Sequence, residues 1–111
     1  MIVTGFPYIR DGRINDLLKP LPKLLKDFQA FRRLGSAAID LAYVACGRMD
    51  AFYEEGLKPW DTAAGMILVE EAGGRVTDYF ENSYNVYNNN ILATNGLIHP
   101  IMKNLLQNVN F

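Results

Sequence analysis

Three short segments of the sequence carry residue types that could do chemistry. Asp61 follows Gly56-Leu57-Lys58-Pro59-Trp60. A proline pins its own backbone and disfavours helix for the residue before it, so Asp61 is delivered at a fixed place where a helix begins. A carboxylate there can cap the helix, a contribution of about 1 kcal/mol. It can also ligate a hard cation such as Mg²⁺, which takes a few carboxylate oxygens together with waters and substrate phosphate. Local sequence favours the cap, and one Asp cannot make a Mg²⁺ site alone. Glu54 stands a few residues earlier, at the end of an apolar–aromatic strand. Strand ends at the carboxyl edge of a sheet are where α/β proteins gather ligands. By itself Glu54 reads as a solvated charge, and so does Glu55. Gly35-Ser36-Ala37 opens a helix, where free N–H groups and the helix dipole favour an anion or a substrate oxygen. Nearly every helix has such an end, so this signal is weak alone.

The elements that must position these residues follow from periodicity. Met1–Phe6 reads as a short strand broken by Gly5 and Pro7, followed by a polar turn at Arg10-Asp11-Gly12-Arg13. Ile14, Leu17, Leu18, Leu21, Leu24, Leu25, Phe28 and Phe31 recur at steps of three and four, one face of an amphipathic helix. Pro20 and Pro22 inside that pattern predict a kink or two shorter helices. A brief strand is expected over Phe31–Leu34. Ser36 suits the cap of an alanine-rich helix over Ala37–Cys46 that Gly47 closes. Met49–Glu54 reads as a strand, Asp61–Ala72 as a helix that Asp61 caps and Gly73-Gly74 ends, and Arg75–Tyr79 as a strand. An Asn- and Tyr-rich loop spans Phe80–Asn90, then a strand Ile91–Thr94 and a final helix Leu97–Asn108. Alternating strands and helices predict one α/β domain over residues 1–111, a layered sandwich in which a mixed, largely parallel sheet is flanked by helices.

Composition narrows the function classes. The 111 residues are 50% hydrophobic and 21% charged with a formal net charge of −1, as in an ordinary globular domain. Lys and Arg are spread along the chain, with no clustered cations to hold a phosphate backbone, so nucleic acid is not an expected partner. Cys46 is the only cysteine, which excludes a disulfide framework and a thiolate zinc site. The apolar runs at Leu41–Cys46 and Ala63–Val69 fall short of the ~20 residues of a membrane span. The start resembles no signal peptide, so a cytoplasmic location is the default expectation. A nucleotide-binding domain is disfavoured, because no Gly-rich phosphate loop follows a strand. His99, the Met66–Val69 run and the Tyr79–Tyr87 aromatics read as structure.

Taken together, the segments resemble the inositol monophosphatase family. The run Arg33–Glu54, with Gly35-Ser36-Ala37-Ala38-Ile39-Asp40 at its start, resembles a signature region of that family, and Gly56–Gly65 with its Trp60-Asp61 pair continues it. Glu70–Asp78 and Ile91–Asn95 follow in the family's order, and Thr4-Gly5-Phe6-Pro7-Tyr8 matches a stretch common in bacterial members. The resemblance implies that Asp61 is a metal ligand, that Glu54 hydrogen-bonds a hydroxyl of the substrate ring, and that Gly35, Ser36 and Ala37 face the ring oxygens. It implies two or three Mg²⁺ ions as cofactor, a small phosphorylated polyol as substrate, and a homodimer. The Gly35–Ala38 block leans towards the inositol-type branch of the family.

The family's Glu-Glu pair and Asp-Pro-Ile-Asp-Gly-Thr block, which supply most metal ligands and the phosphate cradle, do not occur in this sequence. The expectation is therefore the C-terminal half of a Mg²⁺-dependent phosphomonoesterase, without the N-terminal metal-binding half and inactive alone. The rival expectations are a non-catalytic α/β module that serves oligomer contacts, and a family member acting on fructose bisphosphate or a nucleotide phosphate.

Overall fold

The computed structural model describes residues 1–5, 18–28 and 30–107. Phe6, Pro7, Tyr8, the Arg10–Arg13 turn, Ile14 and Leu17 of the helical stripe, and Asn108 lie outside the described residues. In chain order the strands are β1 (Ile2–Thr4), β2 (Phe31–Arg32), β3 (Ala51–Glu55), β4 (Arg75–Thr77) and β5 (Asn90–Thr94). The helices are α1 (Leu21–Asp27), α2 (Ala37–Ala45), α3 (Pro59–Glu71) and α4 (His99–Gln107).

One sheet runs in the order β2-β1-β3-β5-β4. β1 pairs in parallel with both β2 and β3, whereas β3–β5 and β5–β4 are antiparallel. The sheet is mixed as its sequence pattern predicts, with its parallel and antiparallel pairings evenly divided. Helical crossovers follow β2 and β3, but β4 and β5 are joined by an extended loop, which permits antiparallel pairing.

The period of two along each central strand sorts the core into two clusters. Val3, Phe52, Ile91 and Ala93 pack with Leu41 and Val44 of α2 and Val69 of α3. Their neighbours Ile2, Ala51, Tyr53 and Leu92 pack with Leu24 of α1 and Met102, Leu105 and Leu106 of α4. The result is three layers, α2/α3 over one sheet face and α1/α4 over the other. On β3 this alternation sends Glu54 to the same side as Phe52, and Glu55 to the side of Tyr53. Glu55 is accordingly buried, at 6% exposure, which corrects its reading as a solvated charge.

Sequence signals place the helix ends closely, including the shortened helix expected at the prolines, with the main difference at Asp61. Pro20 precedes α1 and Pro22 sits in its first turn, so the prolines start a short helix where their missing N–H groups cost nothing. The helix at Asp61 begins earlier than predicted: Lys58 is the N-cap, Pro59 occupies the first position and Asp61 the third. Asp61 is therefore not the cap residue. Its Oδ2 accepts a hydrogen bond from the Lys58 backbone N–H at 2.9 Å, the return half of a capping box. α2 and α3 pack closely because Gly65 of α3 lies against Leu41; a Cβ at Gly65 would stand 2.5 Å from Leu41 Cδ1.

His99 and part of the aromatic loop behave as structure, but the Met66–Val69 run is not core throughout: α3 turns Met66 and Val69 to the core and leaves Ile67 and Leu68 exposed. His99 is fully buried, bridging Thr77 Oγ1 at 2.8 Å and Thr94 Oγ1 at 2.9 Å. Burial, with Arg75 and Lys103 nearby, pushes its pKa down to about 4. In the aromatic loop Tyr79 and Tyr84 are buried, and the Tyr84 hydroxyl lies 3.0 Å from Thr62 Oγ1. No helix among the described residues is long and apolar enough to cross a membrane.

Candidate functional site

The parallel pairing of β2, β1 and β3 brings their carboxyl ends to one edge of the sheet, and α2 and α3 both begin just beyond that edge. Between these termini lies a cleft of about 240 Å³, lined among others by Arg33, Gly35, Asp40, Glu54, Trp60 and Asp61. All five candidate residues meet there: Gly35, Ser36 and Ala37 from the start of α2, Glu54 from the end of β3, and Asp61 from the first turn of α3. Segments up to 26 residues apart in the chain converge because the topology stacks two strand-to-helix turns side by side.

Each wall has a local cause. Gly35 has φ +90, a left-handed conformation that glycine adopts freely and that lets the chain turn sharply from β2 into α2. Ser36 then caps α2, its Oγ accepting from the Ile39 N–H at 3.3 Å. The N–H groups of Ala37 and Ala38, in the first turn, have no intrahelical partner and are available to a ligand oxygen. Glu54 is steered over the end of β1: an added Cβ on Gly5 would lie 2.0 Å from Glu54 Oε1, so only glycine at that position lets the carboxylate occupy its place.

The electrostatics of the cleft are dominated by carboxylates. Partial burial, with Asp40 and Asp61 as like charges nearby, pushes the Glu54 pKa up to about 7. Burial raises the Asp40 pKa to about 6, with Arg33 acting in the opposite sense. Asp40 is 1% exposed, and its Oδ1 makes no hydrogen bond among the described residues. Burial thus raises both Glu54 and Asp40 above the usual carboxylate range, a perturbation that functional sites share with buried structural groups.

Gly5, Asp40 and Trp60 join the cleft without having been singled out from sequence as site residues. A signal for Asp40 exists, since it is the lone charge in the otherwise apolar run Ala37–Cys46. A solvated helix face accounts equally well for one such charge, so sequence alone cannot tell that Asp40 is buried.

The arrangement suits a neutral, hydroxyl-rich ligand, with carboxylate acceptors on one side and helix-start N–H donors on the other. It does not by itself make a metal centre. Among the described residues no three His, Cys, Asp or Glu side chains gather closely enough to hold a metal ion. Asp61 offers a single carboxylate, with one oxygen already engaged by Lys58 N–H.

Comparison with known proteins places this arrangement in a family. Residues 1–110 match the model of the inositol monophosphatase family. An inositol-1-monophosphatase from Synechocystis is 44% identical over 106 residues, covering 96% of this chain and 37% of the relative. The Nus factor SuhB of Escherichia coli K12 is 46% identical over 95 residues, covering 86% and 36%. Among solved structures, an inositol monophosphatase from Anabaena superposes with a TM-score of 0.84 at 45% identity, covering 98% of this chain and 43% of that one. The SuhB protein of Bartonella henselae gives 0.87 at 40% identity, covering 96% and 40%. The chain thus spans little more than a third of the length of the curated relatives it matches. With the family model matched along nearly its whole length and the fold superposing on solved members, this chain belongs to the inositol monophosphatase family.

Proposed function

We propose that the intact protein is a Mg²⁺-dependent phosphomonoesterase acting on inositol monophosphate or a related polyol phosphate, and that this chain forms the polyol-receiving wall of its site. The observation that carries the reading is the convergence of the Gly35–Ala37 helix start, Glu54 and Asp61 on one cleft. A polyol ring lying there would donate a hydrogen bond from a hydroxyl to the Glu54 carboxylate and accept hydrogen bonds from the N–H groups of Ala37 and Ala38. Trp60, largely exposed at the rim, would cover the ring from the solvent side. Asp61 would give one carboxylate to Mg²⁺, whose role is to neutralise phosphate charge and activate water; its other ligands lie outside the described residues. Alone, the 111-residue chain is then inactive.

The test is turnover of inositol 1-phosphate by the intact protein with and without Mg²⁺. Replacing a metal-ligating carboxylate by its amide removes a charge at the reacting phosphate, so Asp61→Asn should lower Mg²⁺-dependent phosphate release by about 10²-fold or more. Unchanged turnover in that variant would remove Asp61 from the metal site. Phosphate release by the isolated 111-residue chain would overturn the claim that it lacks a working centre.

A further inference from the structure

The cleft contains a buried polar group that the proposed reading does not use. Asp40 is the fourth residue of α2, part of the cleft wall and 1% exposed. Among the described residues its Oδ1 has no hydrogen-bond partner. A buried carboxylate oxygen without a donor is costly, and such groups persist where a ligand or a mechanism needs them. An apolar side chain in that place would extend the apolar face that Leu41 and Val44 already present to the core.

The donor that Asp40 lacks is most simply supplied by what enters the cleft. Arg33 also lines the cleft, but no bond from it reaches Asp40 Oδ1. The described residues offer Asp40 Oδ1 no donor, and the donor that the polyol reading brings to the cleft is a ligand hydroxyl. The terminal torsion of an Asp side chain is broad and roughly two-fold, so either oxygen can turn towards a ligand.

We infer that Asp40 is a specificity-determining residue, a second carboxylate that accepts a hydrogen bond from a ring hydroxyl of the polyol and, with Glu54, reads two hydroxyls of one ring. The inference rests on the polyol-phosphate reading of the cleft and extends it to a residue on a different element. A site built to accept a hydroxyl discriminates strongly against an analogue lacking it, because the buried acceptor is then left unpaired. Asp40 therefore sets the preference between a hydroxylated ring and a bare one, with less effect on handling of the phosphate.

The experiment compares kcat/KM for inositol 1-phosphate and for cyclohexyl phosphate, the same ring without hydroxyls, in the intact wild-type protein and in Asp40→Asn and Asp40→Leu. The wild type should prefer the hydroxylated ester, and both variants should shrink that preference, Asp40→Leu by tenfold or more. Thermal unfolding gives the second readout: removal of an unpaired buried charge should raise Tm, whereas a structural Asp40 would lower it. A preference that stays constant while both rates fall together, or a lowered Tm with the preference intact, overturns the inference. If the wild type hydrolyses neither ester, the polyol-phosphate reading itself fails and the role of Asp40 falls with it. If the wild type is active and only the variants' preference is unmoved, the reading stands and the inference alone is lost.

Discussion

Replacing Glu54 by Gln tests whether the cleft is electrostatically strained, independently of any activity. The Glu54 carboxyl has its pKa raised from 4.5 to about 7 by burial, Asp40 and Asp61. The folded state therefore holds a proton that the unfolded chain has released between those values. Stability contributed by this group is full below about pH 4.5 and is lost as pH rises towards 7. A shift of ~2.5 units at ~1.36 kcal/mol per unit bounds the loss at roughly 3 kcal/mol. Glu54 lines an open cleft and is only partly buried, so solvent screening lowers the expected value to about 1–2 kcal/mol. Gln keeps the shape that Gly5 accommodates and carries no charge. Urea unfolding followed by far-ultraviolet circular dichroism, in EDTA to keep cations out of the cleft, should give equal stabilities for wild type and Glu54→Gln at pH 4. The variant should gain about 1–2 kcal/mol at pH 8. A variant less stable than wild type at pH 8, or a difference that does not change with pH, would refute the reasoning.

His99 should give the opposite pH dependence. Its pKa is lowered from 6.5 to about 4, so its contribution is present above pH 6.5 and is lost as pH falls towards 4. His99→Gln should be less stable than wild type at pH 8, yet should lose less stability between pH 6.5 and 4 in the same urea titration. Gly65→Ala should destabilise by about 1–3 kcal/mol, because the new Cβ meets Leu41 at 2.5 Å on two packed helices that cannot both give way; an unchanged urea midpoint would show that α2 and α3 are not tightly packed. On α3, Trp60, Ala63, Ala64, Ile67 and Leu68 form an exposed stripe, with Ile67 and Leu68 at 60% and 51% exposure. Such a face invites association. The isolated chain should self-associate in light scattering at micromolar concentration, and Ile67→Lys with Leu68→Lys should reduce the associated fraction.

Much of this molecule is legible in its sequence because local rules and global topology agree. The caps at Ser36, the proline at position 59 and the alternation along Ala51–Glu55 each fix an element by short-range physics. Errors arise where a decision depends on the third dimension. Whether Glu55 meets water depends on which sheet face α1 and α4 cover, and no window of sequence encodes that. The same holds for Asp40, whose charge inside an apolar helix is visible but whose burial is not. Asp61 shows a subtler limit. A helix start is read from Asp or from Pro, and here Pro59 wins because its fixed φ suits the first helical position while Asp61 serves equally well at the third. The cleft itself follows from the parallel register of β1 with β2 and β3, which sets three strand ends at one edge. Sequence order alone leaves that register open.

The Asp61 geometry bears on what its carboxylate can do. With Oδ2 held by the Lys58 N–H at 2.9 Å, Asp61, which lines the cleft, is fixed in direction before any ligand arrives. A ligand oxygen that is oriented in advance loses little freedom on binding, which is how a supporting hydrogen bond strengthens a metal site or a substrate contact. Glu54 is held differently, by contact with the bare Gly5 backbone rather than by a donor. Asp40 Oδ1 has no donor among the described residues. The three carboxylates thus form a gradient, from a pre-satisfied group at the start of α3, through a sterically placed one at the end of β3, to an unpaired one within α2. In a cleft meant only to be stable, all three would be paired as Asp61 is. Leaving the other two unpaired among the described residues costs stability above their raised pKa values, a cost that an incoming ring with hydroxyl donors would offset.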